Sequence, residues 1–169
     1  MSLPKIGQKA PEFSLENQNG EKVSLQDYQG KVVVLYFYPK ASTPGCTVQA
    51  CGIRDHKAEF EALNAVVVGV SYDPVKRVKN FETKQELNFD LLADEDQAVT
   101  ELYGVWQLKQ FMGKEKMGVV RSTFIIDEKG HIEDIYMSGK EAKTNGIEKD
   151  HTFKTKDHHD IMLAHLRAR

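Results

Sequence analysis

Cys46 and Cys51 are the only thiols in this 169-residue chain. They lie in Pro39-Lys40-Ala41-Ser42-Thr43-Pro44-Gly45-Cys46-Thr47-Val48-Gln49-Ala50-Cys51, directly after the apolar run Val32-Val33-Val34-Leu35-Tyr36-Phe37-Tyr38. A buried strand delivers a turn, and the turn delivers the first thiol to a helix N-terminus. There the N–H groups lack intrahelical partners, and the positive end of the helix dipole favours an anion. Sulfur placed there is favoured as thiolate, the nucleophilic form. The second thiol follows on the same helix. This arrangement suits a redox reaction centre better than a structural staple.

The elements that position this segment read as follows. Residues 11–17 and 22–25 form a hairpin around Asn19-Gly20, a type I′ turn signal. The continuous apolarity of 32–38 predicts a central strand covered on both faces. A helix is expected over 45–63 and a second buried strand over 65–71. Asp73-Pro74 caps and starts a helix reaching Gln85. A short strand at 89–92 and a helix from Asp94 to Tyr103, stopped by Gly104, come next. A strand over 119–126 turns through Asp127-Glu128-Lys129-Gly130 into another at 131–136, and a helix near 157–167 closes the chain. This order predicts an α/β fold, thioredoxin-like, with a mixed central β-sheet flanked by helices and an N-terminal β-hairpin. A single domain over 1–169 is expected, with the polar stretch 137–152 read as a surface-loop insertion.

Bulk properties narrow the partners. The 23 basic and 25 acidic residues give a formal charge of -2, so no polybasic signature points to nucleic acid or an anionic membrane. No apolar run approaches the ~20 residues that span a bilayer. Residues 1–7 carry no charged segment followed by an apolar one, so no secretory signal is expected. Two cysteines are too few for a disulfide scaffold, and a cytoplasmic setting that keeps thiols reduced is the expectation.

Pro39-x-x-x-Thr43-x-x-Cys46 matches the peroxiredoxin active-site pattern. The downstream Cys51, the segment Tyr103-Gly104-Val105-Trp106, the segment from Met117 through Arg121 to Asp127, and the tail Phe153–Asp160 narrow the match. Together they resemble the bacterioferritin comigratory protein (BCP, or PrxQ) branch of the peroxiredoxins. The resemblance implies a thiol peroxidase reducing hydrogen peroxide and small alkyl hydroperoxides, with Cys46 peroxidatic and Cys51 resolving. Thr43, Arg121 and Pro39 would complete the site. It further implies recycling by thioredoxin or a similar dithiol reductant, no cofactor, and a monomer or weak homodimer.

The chemistry fits these roles. Arg121 holds its charge at any physiological pH. Thr43 offers a hydroxyl able to accept and donate, and Pro39 stiffens the loop and shields the sulfur. Because nucleophilicity falls with thiol pKa, the site must also stabilise the departing oxygen. The implied Cys46–Cys51 disulfide makes a geometric demand. Residues five apart on an ideal helix have Cα atoms about 8.7 Å apart, whereas a disulfide tolerates about 4.4–6.8 Å. The first turns of the helix must therefore unwind during turnover.

Plainer readings stand beside these. Cys51 could fill core, Thr43 could be a simple N-cap, and Arg121 could pair with a structural carboxylate. Arg54 reads as a solvated helix residue and Trp106 as packing. His151, His158, His159 and His165 invite a metal reading, but His158 and His159 point about 100° apart on a helix, and no metal site is expected. A thioredoxin-fold thiol–disulfide oxidoreductase is the enzyme alternative, although Cys-x-x-Cys is absent. A non-enzymatic interaction module is the third.

Overall fold

The protein, described over residues 2–169 in a computed structural model, is organised on a seven-stranded sheet of order β2-β1-β5-β4-β3-β8-β9. At its centre lie β3 (Val32–Phe37) and β4 (Ala65–Ser71), paired in parallel and followed by β5 (Leu91–Ala93), also parallel. Antiparallel strands close both sides: β8 (Ser122–Ile126) and β9 (Ile132–Met137) on one, β1 (Ser14–Asn17) and β2 (Lys22–Ser24) on the other. This is the mixed, helix-flanked thioredoxin-like sheet expected from the order of elements.

Every residue of β3 is buried. Its alternation serves two apolar layers. Val32, Val34 and Tyr36 face the side that carries Ile53, Phe60, Val78, Phe81 and Met162, while Val33, Leu35 and Phe37 join Val99, Tyr103, Val105 and Phe124 on the other. The helices of the first layer are α1 (Pro44–Asp55), α2 (Lys57–Ala62), α3 (Val75–Gln85) and α6 (His158–Arg167). The short α4 (Ala98–Leu102) lies on the second.

Several expectations are corrected. The helix expected over 45–63 is two helices, because His56 (φ −117°, ψ 17°) leaves the helical region and ends α1. The hairpin around Asn19-Gly20 exists, but its turn is not type I′. Gly20 alone is left-handed, and the Gly20 N–H donates to the Asn17 carbonyl. The Asn17 side chain accepts the N–H groups of Asn19 and Glu21, and this favours a type I turn with a glycine bulge. Asp73 does not cap α3, whose N-cap is Pro74; its carboxylate is turned toward the Cys46 loop. The helix expected from Asp94 shrinks to α4, with the Asp94 carboxylate accepting the N–H groups of Val99 and Thr100.

A two-stranded ribbon went unread: β6 (Trp106–Phe111) and β7 (Lys114–Val119), joined by Met112-Gly113 with both φ values positive. The strand expected over 119–126 is correspondingly divided between β7 and β8. Residues 137–152 carry the short helix α5 (Glu141–Thr144) and a single 3-10 turn at Lys149–His151, with Ala142 buried in the second apolar layer.

Candidate active site

The topology explains where the site sits. Phe37 at the end of β3 pairs with Ser122 at the start of β8. The residue before Ser122 therefore lies beside the residues that follow β3, which are the cysteine loop. Arg121 is thus not within a strand, as the sequence suggested, but at the sheet margin facing the start of α1.

The loop is held from several directions. Ser42 has a left-handed φ of 66°, a conformation costing of order 1–3 kcal/mol for a residue with a side chain. The buried Asp73 carboxylate accepts the Ala41 N–H at 2.8 Å. Thr43 is the N-cap of α1 by backbone geometry (φ −82°, ψ 157°), but its hydroxyl makes no cap bond; it donates to the Lys40 carbonyl at 2.8 Å. Pro44 then occupies the first helical turn with its φ already set. Pro39 is half-buried at the exit of β3.

Cys46 is the third residue of α1 and only 2 % exposed. Pro44 has no N–H, so Gly45 and Cys46 supply the first-turn donors that lack intrahelical partners. Arg121 Nη2 donates to Cys46 Sγ at 3.4 Å, while Nη1 donates to Gln49 Oε1. The guanidinium fork thereby ties sulfur and amide together. Gly45 is not required to make room for it: a Cβ there would lie 3.5 Å from Arg121 Nη2 and 3.7 Å from the Thr155 methyl, both ordinary contacts. A second cation, Lys109 on β6, donates to the Val119 carbonyl; burial lowers its pKa, and the positive charge of Arg121 adds to that effect. Arg121 and the first-turn N–H groups thus face a nearly dry sulfur, as donors placed where a departing oxygen anion could be stabilised.

Cys51 is half-buried five residues further along α1, and both thiols are free. Its Sγ is 3.7 Å from Gln85 Oε1. Around it, polar contacts moor the end of α1 to its neighbours. Arg54 Nη1 donates to the Gln85 carbonyl at 2.6 Å, so Arg54 is a half-buried tether and not the solvated residue expected. Asn88 Nδ2 donates to the Arg54 carbonyl at 3.2 Å. Polar tethers of this kind exchange with water at modest cost, whereas Ile53, 1 % exposed, anchors the same end of the helix in the core.

Comparison with known proteins agrees with the geometry. Residues 6–135 match the model of the AhpC/TSA family. The chain is 46% identical over 167 residues to peroxiredoxin Bcp of Escherichia coli K12, covering 99% of this chain and 98% of that one. This chain belongs to the AhpC/TSA family, in its peroxiredoxin Bcp branch. A Mycobacterium tuberculosis peroxidoxin BcpB structure superposes with a TM-score of 0.79 at 35% identity, covering 97% of each chain. A structure of the Xanthomonas campestris bacterioferritin comigratory protein, reported with its alkyl peroxide reduction activity, gives a TM-score of 0.82 at 30% identity, covering 97% of this chain and 98% of that chain.

Of the residues expected at the site, Cys46 and Arg121 are in direct contact, Pro39 and Thr43 shape the loop, and Cys51 stands apart on the same helix. Sequence reasoning missed Gln49, Asp73 and Lys109. Gln49 carried a usable signal: it is a polar residue one helical turn after Cys46, on the face that the spacing of Cys46, Ala50 and Ile53 buries. Asp73 and Lys109 are brought in by tertiary structure alone. Trp106 packs edge-on against Tyr72 with ring centroids 5.3 Å apart, in keeping with its reading as packing.

Proposed function

We propose that this peroxiredoxin reduces hydrogen peroxide and small alkyl hydroperoxides through Cys46 and Cys51. The observation that carries the reading is the Arg121 guanidinium, donating to Cys46 Sγ with one arm and to Gln49 with the other.

The Cys46 thiolate attacks one peroxide oxygen along the O–O axis. The S–O bond forms, the O–O bond breaks, and the electron pair leaves on the second oxygen as hydroxide or alkoxide, which takes up a proton. Charge moves from sulfur to the departing oxygen, where Arg121 and the Gly45 and Cys46 N–H groups are the available donors. Interactions that strengthen in this step accelerate it, whereas those that only stabilise the thiolate do not. The Thr43 hydroxyl gives up its bond to the Lys40 carbonyl or shares it to reach the peroxide. Pro39 keeps bulk water from the sulfur.

The product, a Cys46 sulfenic acid, then meets the Cys51 thiol; a disulfide forms and water leaves. With α1 intact the ideal Cα separation of about 8.7 Å forbids that bond, so the helix opens first. An external dithiol, thioredoxin by the family's habit, returns both cysteines to thiols. Both thiols sit on one helix of one chain, so resolution needs no second copy, and a monomer or weak homodimer suffices. Among the described residues no helix is long and apolar enough to cross a membrane. The cytoplasm, where dithiol reductants operate, is the proposed compartment.

The test is a pair of substitutions. Cys46→Ser abolishes peroxide consumption. Cys51→Ser supports one turnover, accumulates a sulfenic acid trapped by dimedone, and stops dithiol-linked recycling. Full activity in Cys46→Ser ends the proposal.

A further inference from the structure

Two histidines of the C-terminal tail, His151 and His165, meet at the Asp134 carboxylate, 2.8 Å and 3.6 Å from Oδ2. His158 is buried against Thr123, His165 is held by Glu133 and Tyr136, and His151 lies between Asp134 and Asp150. His159 is different, because the fold brings it a partner from α1. The rings of His56 and His159 stack with centroids 4.3 Å apart and planes 25° apart. One nitrogen of each ring and a carboxylate oxygen of Asp160 lie within 4.8 Å of one another.

We propose that His56, His159 and Asp160 form a binding site for a divalent first-row metal ion of the zinc type, one that clamps the end of α1 to α6. Two imidazoles and one carboxylate are a donor set suited to such an ion. His159 Nε2 and Asp160 Oδ1 are 3.5 Å apart. Two ligands bonded at about 2.0–2.1 Å to a tetrahedral ion are separated by about 3.3 Å, so this pair needs little movement.

The tautomer of His56 is already set, although the ring must turn out of its stack on His159 before both Nε2 lone pairs can meet one ion. The His56 Nδ1 is 2.8 Å from the Gly52 carbonyl, so Nδ1 carries the proton and donates, and Nε2 presents its lone pair. A ligating histidine ordinarily has such a backbone acceptor behind it. His159 is fixed from the other side, because its ring lies so close to Gly52 that a Cβ there would collide with it. The Asp160 side chain is 71 % exposed, which gives an ion access and leaves room for water as a fourth ligand. Glu59 Oε1 is 3.9 Å from His56 Nε2, but Glu59 also pairs with Arg167 at 2.9 Å.

The site has a mechanical consequence, which rests on the proposed Cys46–Cys51 chemistry. His56 is the C-cap of α1, and the carbonyl that sets its tautomer belongs to Gly52, next to Cys51. An ion shared with α6 ties down the helix that must open for the disulfide to form. Metal binding then slows resolution and leaves the first attack on peroxide unchanged.

Binding is tested without either thiol. A Cys46→Ser/Cys51→Ser protein is titrated with Zn2+ alone by calorimetry, and with Co2+ for its ligand-field absorption. One ion per chain is expected, with affinity at least about tenfold weaker in His56→Ala and His159→Ala and unchanged in His151→Ala. Because His159 packs on Gly52, the surface variants His56→Gln and Asp160→Asn, checked by thermal melting, give the same comparison in a protein that remains folded. Absence of stoichiometric binding, or equal affinity in the His56 variants, overturns the site. In the parent protein, Zn2+ slows disulfide formation after one equivalent of peroxide, and in His56→Ala it does not. Equal slowing in both assigns the effect to the thiols and overturns the clamp, as does binding without slowing. A zinc-free parent that forms no disulfide refutes the cysteine chemistry instead and leaves the binding result standing.

Discussion

Arg121→Met is the sharpest perturbation of the site, because it removes charge and donors while keeping an unbranched side chain. Nη2 lies 3.4 Å from a sulfur that is 2 % exposed. Two unit charges at that distance attract by about 1 kcal/mol with water-like screening and about 5 kcal/mol at an effective dielectric of about 20. The lower figure alone corresponds to about tenfold in the thiol–thiolate equilibrium at 1.36 kcal/mol per decade. Stabilisation of the departing oxygen is lost as well, and losing one such preorganised donor typically costs about 10²–10³. The second-order rate constant with peroxide should therefore fall about 10²–10³-fold. Arg121→Lys keeps the charge but cannot span Cys46 and Gln49 together, so it should lie between. Stopped-flow mixing with hydrogen peroxide reports the rate, with Trp106, the sole tryptophan, as fluorophore. A folded Arg121→Met protein reacting within about threefold of the parent would refute the reasoning, because the guanidinium contact would then be structural only.

Two further substitutions probe the surroundings. His158 is fully buried, and its pKa is pushed down to about 3 by burial first and then by the positive charges of Arg121 and His159. In the unfolded chain it takes up a proton near pH 6.5, so below that value the unfolded state binds more protons and stability falls with pH. Between pH 7 and pH 5 this single group costs about 2 kcal/mol. His158→Gln, which keeps an acceptor for Thr123, should lose that part of the pH dependence in urea titrations at the two pH values; identical pH dependence in parent and variant would contradict it. Gly52→Ala is expected to lower stability by about 1–3 kcal/mol through the collision with His159, although alanine is the better helix former by about 1 kcal/mol. A raised melting temperature would show that His159 moves aside freely.

The legible parts of the molecule were those set by local pattern. The unbroken apolarity of Val32–Tyr38 announced a central strand, and Thr43-Pro44-Gly45-Cys46 announced a thiol in a first helical turn. The β6–β7 ribbon escaped because its strands are heavily charged, with Lys109 opposite Lys116 and Glu115 opposite Gln110, and no buried stripe marks them. Arg121 was suspicious as an arginine among apolar residues, but only the pairing of Phe37 with Ser122 carries it 75 positions back to Cys46. The Asn19-Gly20 turn misled because Asn17, two residues earlier, captures the local N–H groups with its side chain. His56 and His159 meet only through the packing of α1 on α6, which no spacing within either helix could disclose.

The central claim, that α1 opens so that Cys46 can reach Cys51, is tested most directly by hydrogen exchange on the protein before and after one equivalent of peroxide, with peptide mapping of the cysteines. The account predicts a Cys46–Cys51 cross-link within one chain and a loss of amide protection confined to α1, reversed by a dithiol. A cross-link formed with α1 protection intact, or oxidation that joins Cys46 to another molecule and never to Cys51, would contradict it.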